Sequence, residues 1–332
     1  MFTTTEPNYD DYSVPFLETI KKNEHLTHIR NLYIVMYFFI CVISPVLNTY
    51  VIIASYRAYR RSLSNAEGTV WLQHTGAWVL SLAVTHLVFS GFLVLQLLYA
   101  WWHFNWHYSA ILCKLSSYVF YFSMFSTAAL LSLWSVNSCV LNSKCFNALQ
   151  CPKLGMSMVT AMVLSSWTFG AVFGSPSLLS RELRYTELGM ECIDDYDLDT
   201  QKTTEYGSSK LNAVVLCRFL LGILVPMLVM LTSACIARRQ GGNEKVICKR
   251  IACITKVAYF ICWTPLLLMG LVQVKAGYFD SFKYGLPSAT VLAAAHCFIN
   301  PVVYLLVGRK INMEWMLQVP GQKRPQRDDT EL

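Results

Sequence analysis

Twelve cysteines and seven histidines hold most of the reactive side chains in these 332 residues, and their spacing limits the chemistry open to them. His25, His28, His74, His103 and His107 are scattered, without the ligand spacing of a metal site. No nucleophile motif, phosphate loop or His-Glu-x-x-His run occurs, so catalysis finds no support and no cofactor is expected. The cysteines are a separate matter, because whether a thiol pairs depends on the compartment in which the chain places it. One further run stands out. Asn300-Pro301-Val302-Val303-Tyr304 sits in a segment with no charge until Arg309. A proline there removes a hydrogen bond from a helix at a chosen place, and the Asn300 amide is expected to satisfy the freed carbonyls. Such a segment is a hinge.

The elements that carry these residues follow from hydropathy. Hydrophobic types make up 55% of the chain and charged types 14%, and the mean hydropathy is +0.40. That is too apolar for a soluble domain of this length. Seven runs of about 20 apolar residues occur: Asn31 to Tyr56, Trp71 to Trp101, Cys113 to Leu141, Leu154 to Leu178, Leu211 to Ala237, Ile251 to Val274 and Tyr284 to Val307. The prediction is an all-α, seven-transmembrane helix bundle. It has a tail at 1–30, a membrane domain at 31–309 and a short cytoplasmic segment at 310–332.

Basic residues follow the odd-numbered spans: Arg57, Arg60 and Arg61; Lys144 and Lys153; Arg238, Arg239, Lys245, Lys249 and Arg250; Arg309 and Lys310. By the positive-inside rule the N-terminus lies outside and the protein belongs in the plasma membrane. The net charge of +7 is then mostly a topology signal, and no nucleic-acid partner is implied. Met1 to Arg30 has no apolar core, so the first span is expected to act as a signal anchor. Seven cysteines fall in spans, and Cys145, Cys151 and Cys248 fall on the reducing side. Cys113 and Cys192 remain outside, where a bond between them would staple the long loop after the fourth span over the mouth of the bundle.

Ordered anchors now accumulate, one or more per span: Asn48; Trp106 with Cys113; Trp167 and Pro176; Pro226; Cys262-Trp263-Thr264-Pro265; Asn300 to Tyr304. With this set the chain resembles a class A, rhodopsin-like G-protein-coupled receptor from about Leu32 to Trp315. The resemblance implies an extracellular ligand and a heterotrimeric G protein as partners. It also implies an activation switch built on Trp263, Pro265, Asn300, Pro301 and Tyr304, with Trp263 at the floor of the ligand pocket.

Within that class the chain is most similar to the chemoattractant group: formyl-peptide, anaphylatoxin, chemerin and prostaglandin D chemoattractant-type receptors. Arg218, roughly 12 Å along the helix before Pro226, matches a basic residue that in this group pairs with an anionic ligand terminus. With Tyr121 and Trp263 it forms the expected ligand contact, and the ligand class is a peptide or a lipid acid. The other reading has Arg218 snorkelling to the interface. Glu191, Asp194, Asp195, Asp197 and Asp199 make an acidic rim around Cys192. Tyr9 and Tyr12 in Asn8-Tyr9-Asp10-Asp11-Tyr12 are candidates for sulfation, which would help steer a cationic ligand; a plainly solvated tail is the alternative.

The inner half departs from the family pattern. Asn137-Ser138-Cys139 stands where Asp-Arg-Tyr or Asp-Arg-Cys is usual, so the arginine that meets the G protein is absent. Ala234 replaces a tyrosine, and Trp134 adds bulk one turn before Asn137. His86 replaces the sodium-binding aspartate, and His296 and Cys297 replace an asparagine and a serine near the hinge. A neutral imidazole is no substitute for a carboxylate as a sodium ligand. Two readings of His86 and His296 stand: a polar link of their own, or neutral rings satisfied by water. These changes imply weak or unconventional coupling. The competing class is a capture, decoy or receptor-chaperone protein of the same fold.

Three peripheral features complete the reading. The basic stretch from Arg57 to Asn65 offers contact with anionic membrane lipid, or simply an extended helix end. Ile311 and Trp315 fit a short amphipathic eighth helix. The terminus Asp329-Thr330-Glu331-Leu332 has the form of a PDZ ligand.

Overall fold

Hydrocarbon offers a backbone no hydrogen-bond partner, so runs of Leu, Ile, Val, Phe and Ala that must cross it coil into helices. A computed structural model of the chain describes residues 10–64, 70–142, 152–186, 189–194, 205–240, 246–276 and 282–309. Seven helices among them are long and apolar enough to span a bilayer. They are α1 (Asp10–Ser64), α2 (Val70–Trp101), α3 (Ala110–Asn142), α4 (Pro152–Gly174), α5 (Glu205–Arg239), α6 (Val246–Ala276) and α7 (Phe282–Arg309). Each overlaps one apolar run of the sequence. The first is the exception in extent, since α1 begins 21 residues before Asn31. Hydropathy marks only the part of a helix that meets lipid, and Glu18, Lys21, Lys22 and Glu24 favour helix without being apolar.

The helix α3 is the axis. It touches α2, α4, α5 and α6, while α1 lies against α2 and α7, and α6 against α7. Trp78, Trp134, Trp263, Tyr259, Phe89 and Phe125 are buried in the resulting core. A single helical turn, Pro176–Ser180, follows α4 and leads into an antiparallel hairpin, β1 (Arg181–Thr186) with β2 (Gly189–Asp194). The sequence reading contains no strand here. The hairpin forms against the bundle: the Trp106 amide donates to the Met190 carbonyl at 2.7 Å, and Asn105 Oδ1 accepts from the Met190 amide at 3.0 Å. Gly189, at φ 115°, makes the turn against Asn105 that a side chain would oppose. The bond between Cys113 and Cys192 is present, with Cα atoms 5.8 Å apart, and fastens β2 to the start of α3.

At two of the prolines inside helices the released carbonyl is caught from another helix. Pro226 has no N–H for the carbonyl of Gly222. There α5 opens into a π turn, Leu220–Leu224, in which the Val225 amide reaches back to Leu220. The Tyr259 hydroxyl of α6 donates to the Gly222 carbonyl at 2.7 Å. The absence of a side chain at Gly222 allows this approach, since a Cβ would lie 3.1 Å from Leu267 and 3.3 Å from Met124. In α7, Pro301 frees the carbonyl of Cys297, and Asn48 Nδ2 of α1 donates to it at 2.9 Å. The expectation that Asn300 satisfies its own helix is corrected, because its amide nitrogen meets His296 Nε2 at 3.4 Å instead.

Replacing the hydroxyl of Tyr259 by hydrogen leaves the Gly222 carbonyl without that donor in a dry interior. Tyr259→Phe is expected to destabilise the fold by about 1–3 kcal/mol, seen as a lower thermal midpoint of the purified protein in detergent. An unchanged midpoint would mean that the carbonyl finds another donor.

Candidate ligand-binding site

At the hairpin end of the bundle lies a cavity of about 860 Å³ enclosed by α1, α2, α3, α5, α6, α7 and the hairpin. Its walls carry Tyr33, Tyr37, Tyr99, Phe104, Trp106, Phe120 and Tyr121, with the polar groups of Gln96, Ser116, Ser117 and Thr290 among them. Four charged side chains reach it: Arg181, Glu191, Asp194 and Arg218. An aromatic chamber with a few fixed charges suits an amphipathic ligand.

Arg218 comes from the part of α5 before the π turn and is only 7% exposed. Its guanidinium lies over the Tyr121 ring, 3.5 Å from the centroid, and donates to Ser177 Oγ at 3.3 Å. It therefore points into the bundle and does not snorkel. Among the described residues no carboxylate forms an ion pair with it. The ring offsets part of the cost of burying the charge, by about 2 kcal/mol or more for a desolvated pair. The guanidinium has five N–H groups, and Ser177 engages one nitrogen.

Arg181, the first residue of β1, is a second cation in the cavity that the sequence reading missed. It donates to Ser117 Oγ and to the Cys192 carbonyl, the latter at 3.0 Å, and its Nε stands 3.5 Å from Asp194 Oδ1. Its position in a strand folded back over α3 has no signal in the local sequence. The acidic rim is modified by this pair, since Asp194 is turned to Arg181 inside the chain. Glu191 lines the cavity, and Asp195, Asp197 and Asp199 lie outside the described residues.

Trp263 does not line the cavity. It is buried, with Phe120 edge-on at 5.1 Å and Phe89 and Tyr259 beside it. Between Trp263 and the chamber stands Phe120, which lines the cavity and packs edge-on against the Trp263 ring. Phe104 was not foreseen either. It follows His103 in a pair of residues with positive φ, 56° and 60°, and its ring packs on Tyr33 and Tyr99.

Below the chamber the replaced polar centre is assembled from α2, α3 and α7. His86 and His296 meet edge to face with ring centroids 5.0 Å apart, His86 Nε2 lies 3.5 Å from Thr127 Oγ1, and His296 also stands edge-on to Tyr259. The two rings touch, but no hydrogen bond joins them; each turns a nitrogen to a neighbour. Thr85 is engaged elsewhere, accepting from Trp167 Nε1 at 3.0 Å and so joining α2 to α4. Tyr304 is buried close to the same axis.

At the end opposite the hairpin, Asn137 is buried and its Nδ2 lies 3.1 Å from His74 Nδ1. Trp134 stacks on Trp78, centroids 6.5 Å apart and planes 7° from parallel. Cys139 Sγ is 2.9 Å from the Ser233 carbonyl of α5. Ser138 is half-buried, and Ala234 is exposed. Tyr9, the side chains of Tyr12, Arg60 and Arg61, residue Asn65, and everything from Lys310 to Leu332 lie outside the described residues.

No carboxylate of the described residues enters the centre formed by His86, Thr127, His296 and Asn300. The thermal midpoint of the purified protein is therefore expected to be the same in sodium chloride as in choline chloride at matched ionic strength. A midpoint raised by sodium would show a cation site there after all.

Comparison with known proteins agrees with this architecture. Residues 70–304 match the family model of the 7 transmembrane receptor (rhodopsin family). Chemerin-like receptor 1 of Homo sapiens is 26% identical over 326 residues, covering 92% of this chain and 84% of that protein. The Bos taurus form is 26% identical over 325 residues, with 91% and 85% covered. Chemerin-like receptor 2 of Rattus norvegicus is 27% identical over 257 residues, with 74% and 70% covered. The family is one of receptors and not of enzymes. The family model spans most of the chain, and the chain belongs to the rhodopsin family of seven-transmembrane receptors, in its chemoattractant group.

Proposed function

We propose that this plasma-membrane receptor faces the outside with its hairpin end and binds a peptide or lipid acid by seating an anionic group on Arg218. The observation that carries the reading is the buried Arg218 guanidinium, held on Tyr121 and Ser177 without a carboxylate among the described residues. A charge taken out of water is costly until it is paired, so the empty half of its hydrogen-bonding fork favours a carboxylate. The aromatic walls accept the rest of an amphipathic ligand, and Glu191 at the mouth favours a cationic stretch in a peptide. The orientation rests on the basic residues after the odd-numbered spans. Coupling to a heterotrimeric G protein is weak or unconventional in this reading, because Ser138 has neither the length nor the charge of the usual arginine.

The second reading, ligand capture without nucleotide exchange or chaperoning of a sister receptor, is favoured by Asn137. Its amide nitrogen is engaged with His74, and the side chain brings no charge to that end. Sulfated Tyr9 and Tyr12 in ligand steering, a PDZ protein at Leu332, and lipid contact by an eighth helix belong to the same proposal.

The test is binding of a panel of peptides, each as free acid and as C-terminal amide, and of long-chain fatty acids, to membranes carrying the native chain or Arg218→Ala. Loss of a buried charge partner costs about 2–5 kcal/mol, so binders are expected to weaken at least about thirtyfold in the variant, and amidation to do the same in the native chain. Equal binding of acid and amide would remove Arg218 from the site. Nucleotide exchange measured with the same binders separates the receptor reading from capture.

A further inference from the structure

We propose that His74, Trp78, Trp134 and Asn137 form a latch that closes the inner end of α3 onto α2 and keeps the position of Ser138 from a G protein. This rests on the receptor reading above, and goes beyond the loss of an arginine that the sequence alone displays.

The latch has two rungs, set by helical spacing. His74 and Trp78 are four residues apart on α2, and Trp134 and Asn137 three apart on α3, so each pair shares one face of its helix. One rung is the hydrogen bond between Asn137 Nδ2 and His74 Nδ1 at 3.1 Å. An amide nitrogen only donates, so in this contact Nδ1 is the acceptor. The other rung is the near-parallel stack of Trp78 on Trp134. All four side chains are buried. On the opposite flank of α3, Cys139 meets the Ser233 carbonyl of α5, so the helix end is held on both sides.

A latch made of a neutral hydrogen bond and an aromatic stack does not depend on a charged partner for release. A G protein or a ligand-driven movement of α6 has no ion pair here to exchange. Trp134 and Trp78 are both large and buried, and sliding α3 along α2 would break their overlap before any new contact forms. The barrier therefore lies between α2 and α3, away from α6. An arginine introduced at position 138 alone would stand on a helix end that cannot shift.

The experiment measures agonist-independent nucleotide exchange on purified heterotrimeric G protein by membranes holding equal surface amounts of four chains. These are the native chain, Ser138→Arg, His74→Ala with Ser138→Arg, and Trp134→Leu with Ser138→Arg. The latch predicts native-level exchange for Ser138→Arg alone and a severalfold rise for either double variant, a gain that misfolding does not produce. Exchange by Ser138→Arg alone equal to that of the double variants would overturn it, and so would double variants no better than the native chain. Because no ligand is added, failure at Arg218 leaves this result untouched. Amide hydrogen exchange gives a second reading independent of coupling: in His74→Phe the amides from Trp134 to Asn142 are expected to exchange at least tenfold faster while the hairpin is unchanged. No change in that segment would also overturn the latch.

Discussion

A carbonyl released by a proline inside hydrocarbon has to find a donor within the protein, because the solvent supplies none. The bundle is arranged around two such groups. Pro226 releases the Gly222 carbonyl and Tyr259 crosses from α6 to take it; Pro301 releases the Cys297 carbonyl and Asn48 crosses from α1. Each bend is thereby tied to a neighbouring helix. The helices that carry the bends, α5 and α7, also carry Arg218 and His296. Ligand chamber and polar centre are thus placed by the same backbone accounting that makes the chain stable in a membrane.

Two arginines share the chamber and differ in what already surrounds them. Arg181 is answered by Asp194, Ser117 and a backbone carbonyl, which makes it part of the wall and a brace for the hairpin. Arg218 has a ring face and one hydroxyl. Both are cations within one cavity, and among the described residues only Arg181 has a carboxylate beside it. The disulfide between Cys113 and Cys192 holds the hairpin that brings Arg181, Glu191 and Asp194 to this place.

Deeper in the bundle, neutral contacts stand where the family uses charge. Imidazoles meeting edge to face stand where the resemblance implied an aspartate in α2, and an amide bonded to an imidazole stands where it implied one in α3. Such contacts lose less on burial than ions do, and they respond less to a charged effector. The stacked Trp78 and Trp134 extend the same logic, exchanging electrostatic attraction for dispersion and shape.

The number of helices, their all-α class and the two cysteines left for a bond were legible in the chain because each rests on hydropathy, compartment and composition alone. The departures at His86, Ser138 and His296 were legible by position along a helix. Facing was not. A π turn before Pro226 rotates everything upstream of it, so the spacing from Arg218 to the proline could not say that the guanidinium would lie on Tyr121. Asn300 shows the limit most plainly. Sequence proximity suggested that it would serve its own helix, and the cap came instead from Asn48, 249 residues away from Cys297. The partners of His74, the cover of Phe120 over Trp263, and the placing of Arg181 and Glu191 at the chamber depend on which element lies beside which. Tertiary packing decides that, because hydrogen bonds and ring contacts reach only a few ångströms and are blind to distance along the chain.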